Sequence, residues 1–302
     1  MSGLGVSQGR TNIGEEALPP FAVLPDPSSL FIGRSKRLRA LAPGHTLEAY
    51  LNFAADVTEA QHTVQAALPA VPPEPSHVRQ SLEDGLPPLS RIAFEPGEAT
   101  EAVARLVACL LRQSQLPDEA HAAIASLAAA PSERLRLLID AALKDTPPDN
   151  IAGRVLILAG LQVHFSRLAA QLPAADLRPV GNGTCPVCGS PPMTSSVVGW
   201  PKAHNTRFCT CSLCATMWHV VRIKCVLCGS TGGIGYRFIE GHPETVKAET
   251  CDNCSRYVKI LYQVKDHLLD PLGDDIASLD LDMLLGRDGW KRGGHNLFLL
   301  GY

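Results

Sequence analysis

What this sequence has little of narrows its function before any motif is considered. Only one of its ten cysteines, Cys109, lies in the first 184 of 302 residues, inside the apolar run from Val103 to Leu111. There a lone cysteine reads as a small core residue. Positive charge is not in excess: 27 Lys and Arg against 30 Asp and Glu leave a net charge of −3, which argues against a phosphate-tracking nucleic-acid binder. Long apolar runs are missing too. The longest, Val155 to Leu161, is hemmed in by Arg154, Gln162, His164 and Arg167, short of the roughly 18 residues of a membrane span. Met1 to Arg10 lack the charged and apolar regions of a secretory leader, so the expected compartment is the reducing cytoplasm. There is no catalytic triad, Walker loop or His-Glu-x-x-His helix, and a non-enzyme is expected.

In the rest of the chain, two unlike regions stand out. Residues 1–27 mix Gly, Pro and Ser without period and read as a flexible terminus. Residues 28–180 are rich in Ala, Leu and Arg, with apolar residues three and four apart, as in Leu47, Tyr50, Leu51, Ala54 and Val57. That period predicts an all-α domain. Further helices are expected over Glu98–Arg112, Pro117–Ala129, Ser132–Leu143 and Asn150–Gln171, with Ser132 as an N-cap and the proline pairs at 87–88 and 147–148 in connections. Pro173, Pro179, Gly181 and Gly183 mark a linker, and beyond it lie ten of the 16 aromatics and nine of the cysteines.

Eight of those cysteines form four Cys-x-x-Cys pairs: Cys185/Cys188, Cys211/Cys214, Cys225/Cys228 and Cys251/Cys254. The first two pairs recur as the last two at one constant offset, Cys185 as Cys225 and Cys214 as Cys254. At the same offset Gly189-Ser190 matches Gly229-Ser230 and Val220 matches Ile260, a tandem duplication. A Cys-x-x-Cys turn presents two sulfurs on one side of a tight loop, and a second turn completes a tetrahedron that selects zinc or iron. The eight cysteines are therefore the expected metal ligands, in modules 181–222 and 223–302, with a cross-braced pairing as the alternative. Modules this small rarely fold without a staple, and metal binding supplies on the order of 10 kcal/mol. Between the knuckles, Thr194–Val198, Tyr236–Ile239 and Tyr257–Gln263 read as strands of two small β-ribbons. Cys209, matched by Glu249 in the second repeat, reads as a bystander, and His204, His219 and His242 as surface or supporting residues. The fold class is α+β: an N-terminal all-α domain followed by two tandem small β modules of zinc-ribbon type.

Several stretches are recognisable. They are Cys185-Pro186-Val187-Cys188-Gly189-Ser190, Trp218-His219-Val220-Val221-Arg222, Lys224-Cys225, Lys247-Ala248-Glu249, Cys251-Asp252-x-Cys254 and Tyr257-x-Lys259-Ile260-Leu261-Tyr262-Gln263. They closely resemble the formate dehydrogenase accessory proteins of the FdhE type. The resemblance extends to Arg37-Leu38-Arg39-x-Leu41-Ala42, Tyr50-Leu51-x-Phe53-Ala54-Ala55, Asp275-Ile276-Ala277-Ser278-Leu279 and Asn296-x-Phe298, and so covers nearly the whole chain. It implies rubredoxin-like modules, two metal ions with iron favoured and zinc possible, and a cytoplasmic assembly factor. The implied partner is the catalytic subunit of a respiratory formate dehydrogenase before its export.

Four functions compete. The first is an assembly factor that docks its client through Trp218–Arg222 and Tyr257–Gln263. The second is a rubredoxin-type electron carrier or redox sensor, which requires iron because zinc has no accessible redox state. A nucleic-acid binder is disfavoured, because nine Lys and Arg against four Asp and Glu in residues 181–265 are mostly offset by two doubly negative tetrathiolate sites. A thiol oxidoreductase is disfavoured because no βαβ pattern surrounds any pair.

Overall fold

The computed structural model describes residues 19–69, 72–113 and 116–300. The first strand, β1 (Ala22–Val23), is followed by helices α1 (Leu30–Leu41), α2 (Glu48–Ala67), α3 (Pro75–Glu83), α4 (Thr100–Leu110), α5 (Asp118–Ala128), α6 (Ser132–Leu143) and α7 (Ile151–Ala169). The four helices expected between residues 98 and 171 are α4 to α7, each close to its expected bounds, with a 3-10 turn, Pro96–Ala99, leading into α4. Ser132 is a correction: it is the first helical residue. Pro131, with φ −58° and ψ 149°, occupies the cap position, and no side chain caps the helix. Asn150 does cap α7, its Oδ1 accepting from the Gly153 N–H at 2.8 Å.

Helix α7 is long and apolar enough to cross a membrane by length and composition, but 72% of that window is buried inside the protein. It is the axis of the helical layer, packing against α2, α4, α5 and α6. Gly160 lets α4 approach closely, since a Cβ there would lie 2.7 Å from the Val103 Cα.

Strands β2 (Pro192–Val198), β3 (Thr206–Cys211), β4 (Met217–Val220), β5 (Ile234–Arg237), β6 (Val246–Cys251) and β7 (Arg256–Leu261) follow, then α8 (Gly273–Ala277), α9 (Leu279–Arg287) and β8 (Lys291–Arg292). The duplication is visible in the strands: β3 ends on Cys211 and β6 on Cys251, its counterpart in the second repeat, and the two strands are equally long. Each repeat is a three-stranded antiparallel ribbon. The ribbons join as one sheet in the order β1-β4-β3-β2-β7-β6-β5, through the parallel pairs Ser195↔Ile260 and Ser196↔Leu261. The first strand of one repeat thus meets the last strand of the other, a head-to-tail union that leaves the two repeats in unlike surroundings.

The outer edge at β4 is covered by β1, with Ala22 opposite Trp218. Residues 22–23 therefore have a definite place within the terminus to which the sequence assigned no structure, and residues 1–18 of that terminus lie outside the described residues. A buried ion pair spans the join: Arg207 in β3 makes bonds of 2.6 and 3.0 Å to Glu249 in β6, and it also donates to Ser195 Oγ. The C-terminal helices are fastened to β7 by Lys259, which lies 3.3 Å from Asp275 and 2.5 Å from Asp282, and by Arg292, which reaches both carboxylates. The main apolar core runs from the helices into the first ribbon and takes in Cys185, Val187, Cys188, Met193, Cys211 and Cys214. The second ribbon keeps a small core of its own: Ala248, Tyr257, Leu281 and Leu285.

Candidate metal centre

Each foursome of cysteines is assembled by two turns of the same construction. In the first, the Cys185 N–H donates to the Ser190 carbonyl (2.9 Å) and the Gly189 N–H to the Cys185 carbonyl (3.0 Å); Cys225, Ser230 and Gly229 repeat this at 2.8 and 2.9 Å. Gly189 and Gly229 have φ of 76° and 79°, a left-handed conformation that glycine adopts freely. The partner turns place Ala215 (φ 61°) and Ser255 (φ 53°) in the same region without glycine, a conformation with an energetic cost for residues that carry a Cβ.

The turns bring together Cys185, Cys188, Cys211 and Cys214 in one group and Cys225, Cys228, Cys251 and Cys254 in the other, the ligand atoms of each lying within 4.8 Å of one another. The grouping is sequential, so the cross-braced alternative is not the one adopted. Sulfur separations are 3.6 Å for Cys185–Cys214 and 3.4 Å for Cys188–Cys211 in the first group. In the second they are 3.9 Å for Cys225–Cys254 and 3.7 Å for Cys228–Cys251. A tetrahedral ion with metal–sulfur bonds of about 2.3 Å requires sulfur edges of about 3.8 Å. All eight cysteines are free of disulfides. The donor set and its dimensions fit one four-coordinate ion per group, so the two clusters could hold two ions.

Backbone N–H groups turn toward the sulfurs: Val187 N to Cys185 Sγ at 3.4 Å, and Leu213 N and Cys214 N to Cys211 Sγ at 3.3 and 3.4 Å. Such donors favour the thiolate, which is the ligating form. Burial pushes the Cys185 and Cys214 thiols well above their ordinary range. Burial opposes ionisation of Cys188 as well, but hydrogen bonds from Cys185, Cys211, Cys214 and Ser190 outweigh it and draw that thiol well below its usual range. In the second group the Ser230 N–H leads in holding Cys228 down to about 6, while burial drives Cys225 up to about 12. A bound cation is what allows four thiolates to coexist at one place.

The two centres differ in their surroundings. All four cysteines of the first are buried, whereas Cys228 and Cys254 of the second are half-exposed. The first knuckle is hydrogen-bonded to the loop after α3, with the Leu89 N–H to the Val187 carbonyl at 2.8 Å and the Arg91 N–H to the Cys188 carbonyl at 2.9 Å. Gln162 of α7 donates to the Ser212 carbonyl at 2.7 Å in the partner turn. The second centre is bordered by the linker, where Asn182 lies against Gly229, and by Asn253, whose Nδ2 approaches Cys228 Sγ at 3.7 Å.

Cys209 lies outside both groups in β3, fully buried, and burial pushes its thiol up to about 12. His204, His219 and His242 join neither group. The client-docking segments expected from sequence need correcting. Tyr257 to Leu261 lies in strand β7, buried and paired with β6 on one side and with β8 and β2 on the other, and Trp218 is buried in β4 beside β1, leaving Val221 and Arg222 as the exposed part. Sequence reading missed the 89–91 loop and Gln162 as supports of the first centre. The prolines at 87–88 marked that loop only as a connection, and no local pattern ties it to a knuckle on the far side of the helical region.

Comparison with known proteins places this architecture. Residues 19–182 match the family model described as FdhE, N-terminal, residues 184–222 the FdhE central domain, and residues 223–299 the FdhE C-terminal domain. The chain is similar to the protein FdhE homolog of Rhizobium meliloti (strain 1021), at 40% identity over 96% of each chain. It is also similar to the homolog of Serratia proteamaculans (strain 568), at 36% identity over 94% of this chain and 92% of that one. Among solved structures it resembles the crystal structure of the FdhE protein from Pseudomonas aeruginosa, with a TM-score of 0.83 and 33% identity over 94% of this chain and 99% of the other.

Proposed function

The chain belongs to the FdhE family, and from that premise we propose that it is a non-enzymatic accessory protein for the maturation of respiratory formate dehydrogenase. In this reading it works in the cytoplasm and holds the immature catalytic subunit before export. Cys185, Cys188, Cys211 and Cys214 bind one metal ion and Cys225, Cys228, Cys251 and Cys254 a second, iron being favoured by the resemblance. The module boundaries near residues 180 and 222 belong to the same proposal. The observation that carries the reading is that each cluster supplies four sulfurs at tetrahedral spacing. A complete ligand set leaves no coordination position for a substrate, unlike a catalytic site. Such centres stabilise or sense, and the recognition of a client falls to the surrounding surface.

The test is a pull-down with the full chain under anaerobic conditions. The expected result is retention of the unexported catalytic subunit well above a tag control. Equal recovery in both would contradict the reading.

One observation favours a second reading, that of an electron carrier or redox sensor: the half-exposed Cys228 and Cys254 would give an iron ion at the second centre an outlet to a partner. A colourless, zinc-loaded protein after anaerobic purification would end that reading and leave the accessory role standing.

A further inference from the structure

The helical layer buries a cation with no carboxylate partner. Arg34 of α1 is 1% exposed, and among the described residues it takes part in no ion pair. Its one hydrogen bond is long, Nη1 to Gln162 Oε1 at 3.5 Å, and its Nε has no acceptor. The guanidinium stands 5.7 Å from the centre of the Phe31 ring, a weak compensation for lost hydration. Its neighbour Arg37, by contrast, has Asp274 at 2.6 Å and Asp266 at 3.8 Å. A buried charge without a counter-ion is among the costliest arrangements in a folded protein.

The negative groups that act on Arg34 are Asp270 and Cys211, set against a burial that pulls the guanidinium down. Asp270 acts from beyond ion-pair distance, and its Oδ1 accepts from the Leu272 and Gly273 N–H groups at the start of α8. Cys211 belongs to the first tetracysteine group. A polar relay runs to that group from Arg34: Gln162 Oε1 accepts from Arg34, while Gln162 Nε2 donates to the carbonyl of Ser212, the residue after Cys211. Gln61 completes the relay, its Nε2 lying 3.2 Å from the same Gln162 oxygen.

We infer that Arg34 supplies the buried counter-charge of the metal-loaded first centre, so that loading this centre and seating α1 are one linked event. Four neutral thiols leave Arg34 with the field of Asp270 alone, and with no carboxylate in ion-pair contact. Four thiolates around a divalent ion carry a net −2, and Arg34 then stands against a charge of opposite sign in a low-dielectric interior. The second centre has Cys228 and Cys254 half-exposed and so is open to solvent. The inference rests on the proposed metal binding at the first centre and adds to it a link between metal and helical layer.

The experiment titrates the metal-free full chain anaerobically with Co²⁺ against a competing chelator, reading the thiolate-to-cobalt absorption, in wild type, Arg34→Met and Arg34→Lys. Wild type should take up two ions. Arg34→Met should bind one of them about 10- to 100-fold more weakly, the range typical of lost outer-shell partners, with the other unchanged. Arg34→Lys should recover most of the loss, because it keeps the charge. Without metal, Arg34→Met should melt no lower than wild type, because it removes a buried cation that no carboxylate contacts, and its gain in Tm on adding Co²⁺ should be smaller. Two ions bound by Arg34→Met as tightly as by wild type would overturn the inference. So would a Lys variant as weak as the Met variant, or a metal-free Arg34→Met that fails to fold, since either would make Arg34 a packing residue. A wild type that takes up no cobalt would instead bring down the metal reading itself, and this inference with it.

Discussion

The two tetracysteine centres share one local plan and have different environments. Their glycine knuckles share the bonds of Cys185 to Ser190 and Cys225 to Ser230, and their partner turns share the left-handed Ala215 and Ser255. Yet all four cysteines of the first are sealed in the core that runs through the helices, while the second touches that core through Val226 and Leu227 of one knuckle and leaves two cysteines half-exposed. One helical domain serves two repeats, and only the first repeat is placed against the 89–91 loop and α7. Duplicated sequence sets the ligands, and the fold around it determines how a bound ion is held and reached. The first centre suits a staple between helices and sheet. The second suits exchange or sensing.

The largest effect that could break this contrast is the loss of one ligand. Cys188→Ser should remove much of the stabilisation, about 10 kcal/mol, that a structural ion contributes, and should loosen the helical layer with the first ribbon. Cys228→Ser should loosen only residues near 225–255. Hydrogen exchange resolved by segment is the measurement, and equal loss of protection in α7 for both variants would erase the contrast.

Next in size is the buried pair that crosses the join. Arg207→Met leaves Glu249 charged in the sheet with the Tyr236 hydroxyl but no cation, and should cost about 3–5 kcal/mol, with much of it regained in Arg207→Met/Glu249→Leu. Urea unfolding of the three proteins checks this. If the pair couples the repeats, the single variant should also lose the second ribbon at lower urea than the first.

The smallest effect belongs to the helical layer alone. His164 packs against Phe94 and Phe165, and burial, helped by Arg167, holds it down to about 4. A folded value below the unfolded value of about 6.5 gives stability that is fully present above pH 6.5 and is lost as the pH falls toward 4. Wild type should therefore lose roughly 2 kcal/mol more than His164→Leu between pH 7 and pH 5. Matching pH profiles in urea titrations would remove His164 from the account.

Much of this was legible in the sequence, for identifiable reasons. The eight cysteines, their grouping and the constant offset between the repeats follow from the spacing of short turns, which are local structures. Helices α4 to α7 were legible from apolar period and proline punctuation. Three things were not. Ser132 looked like a cap because its residue type favours caps, but Pro131 took that position. Tyr257–Gln263 looked like a docking surface because its motif is distinctive, but β7 is the seam between the repeats. The inequality of the two centres depends on contacts between residues far apart in the chain, such as Arg91 with Cys188, and no periodicity records those.

The most direct test of the central claim is native mass spectrometry of anaerobically purified protein during chelator challenge. The account predicts two metal ions per chain, with the ion of Cys225, Cys228, Cys251 and Cys254 leaving first and a one-ion species persisting in which Cys185, Cys188, Cys211 and Cys214 resist alkylation. A protein with no ions, or one whose two ions leave together with all eight cysteines alkylated at one rate, would contradict it.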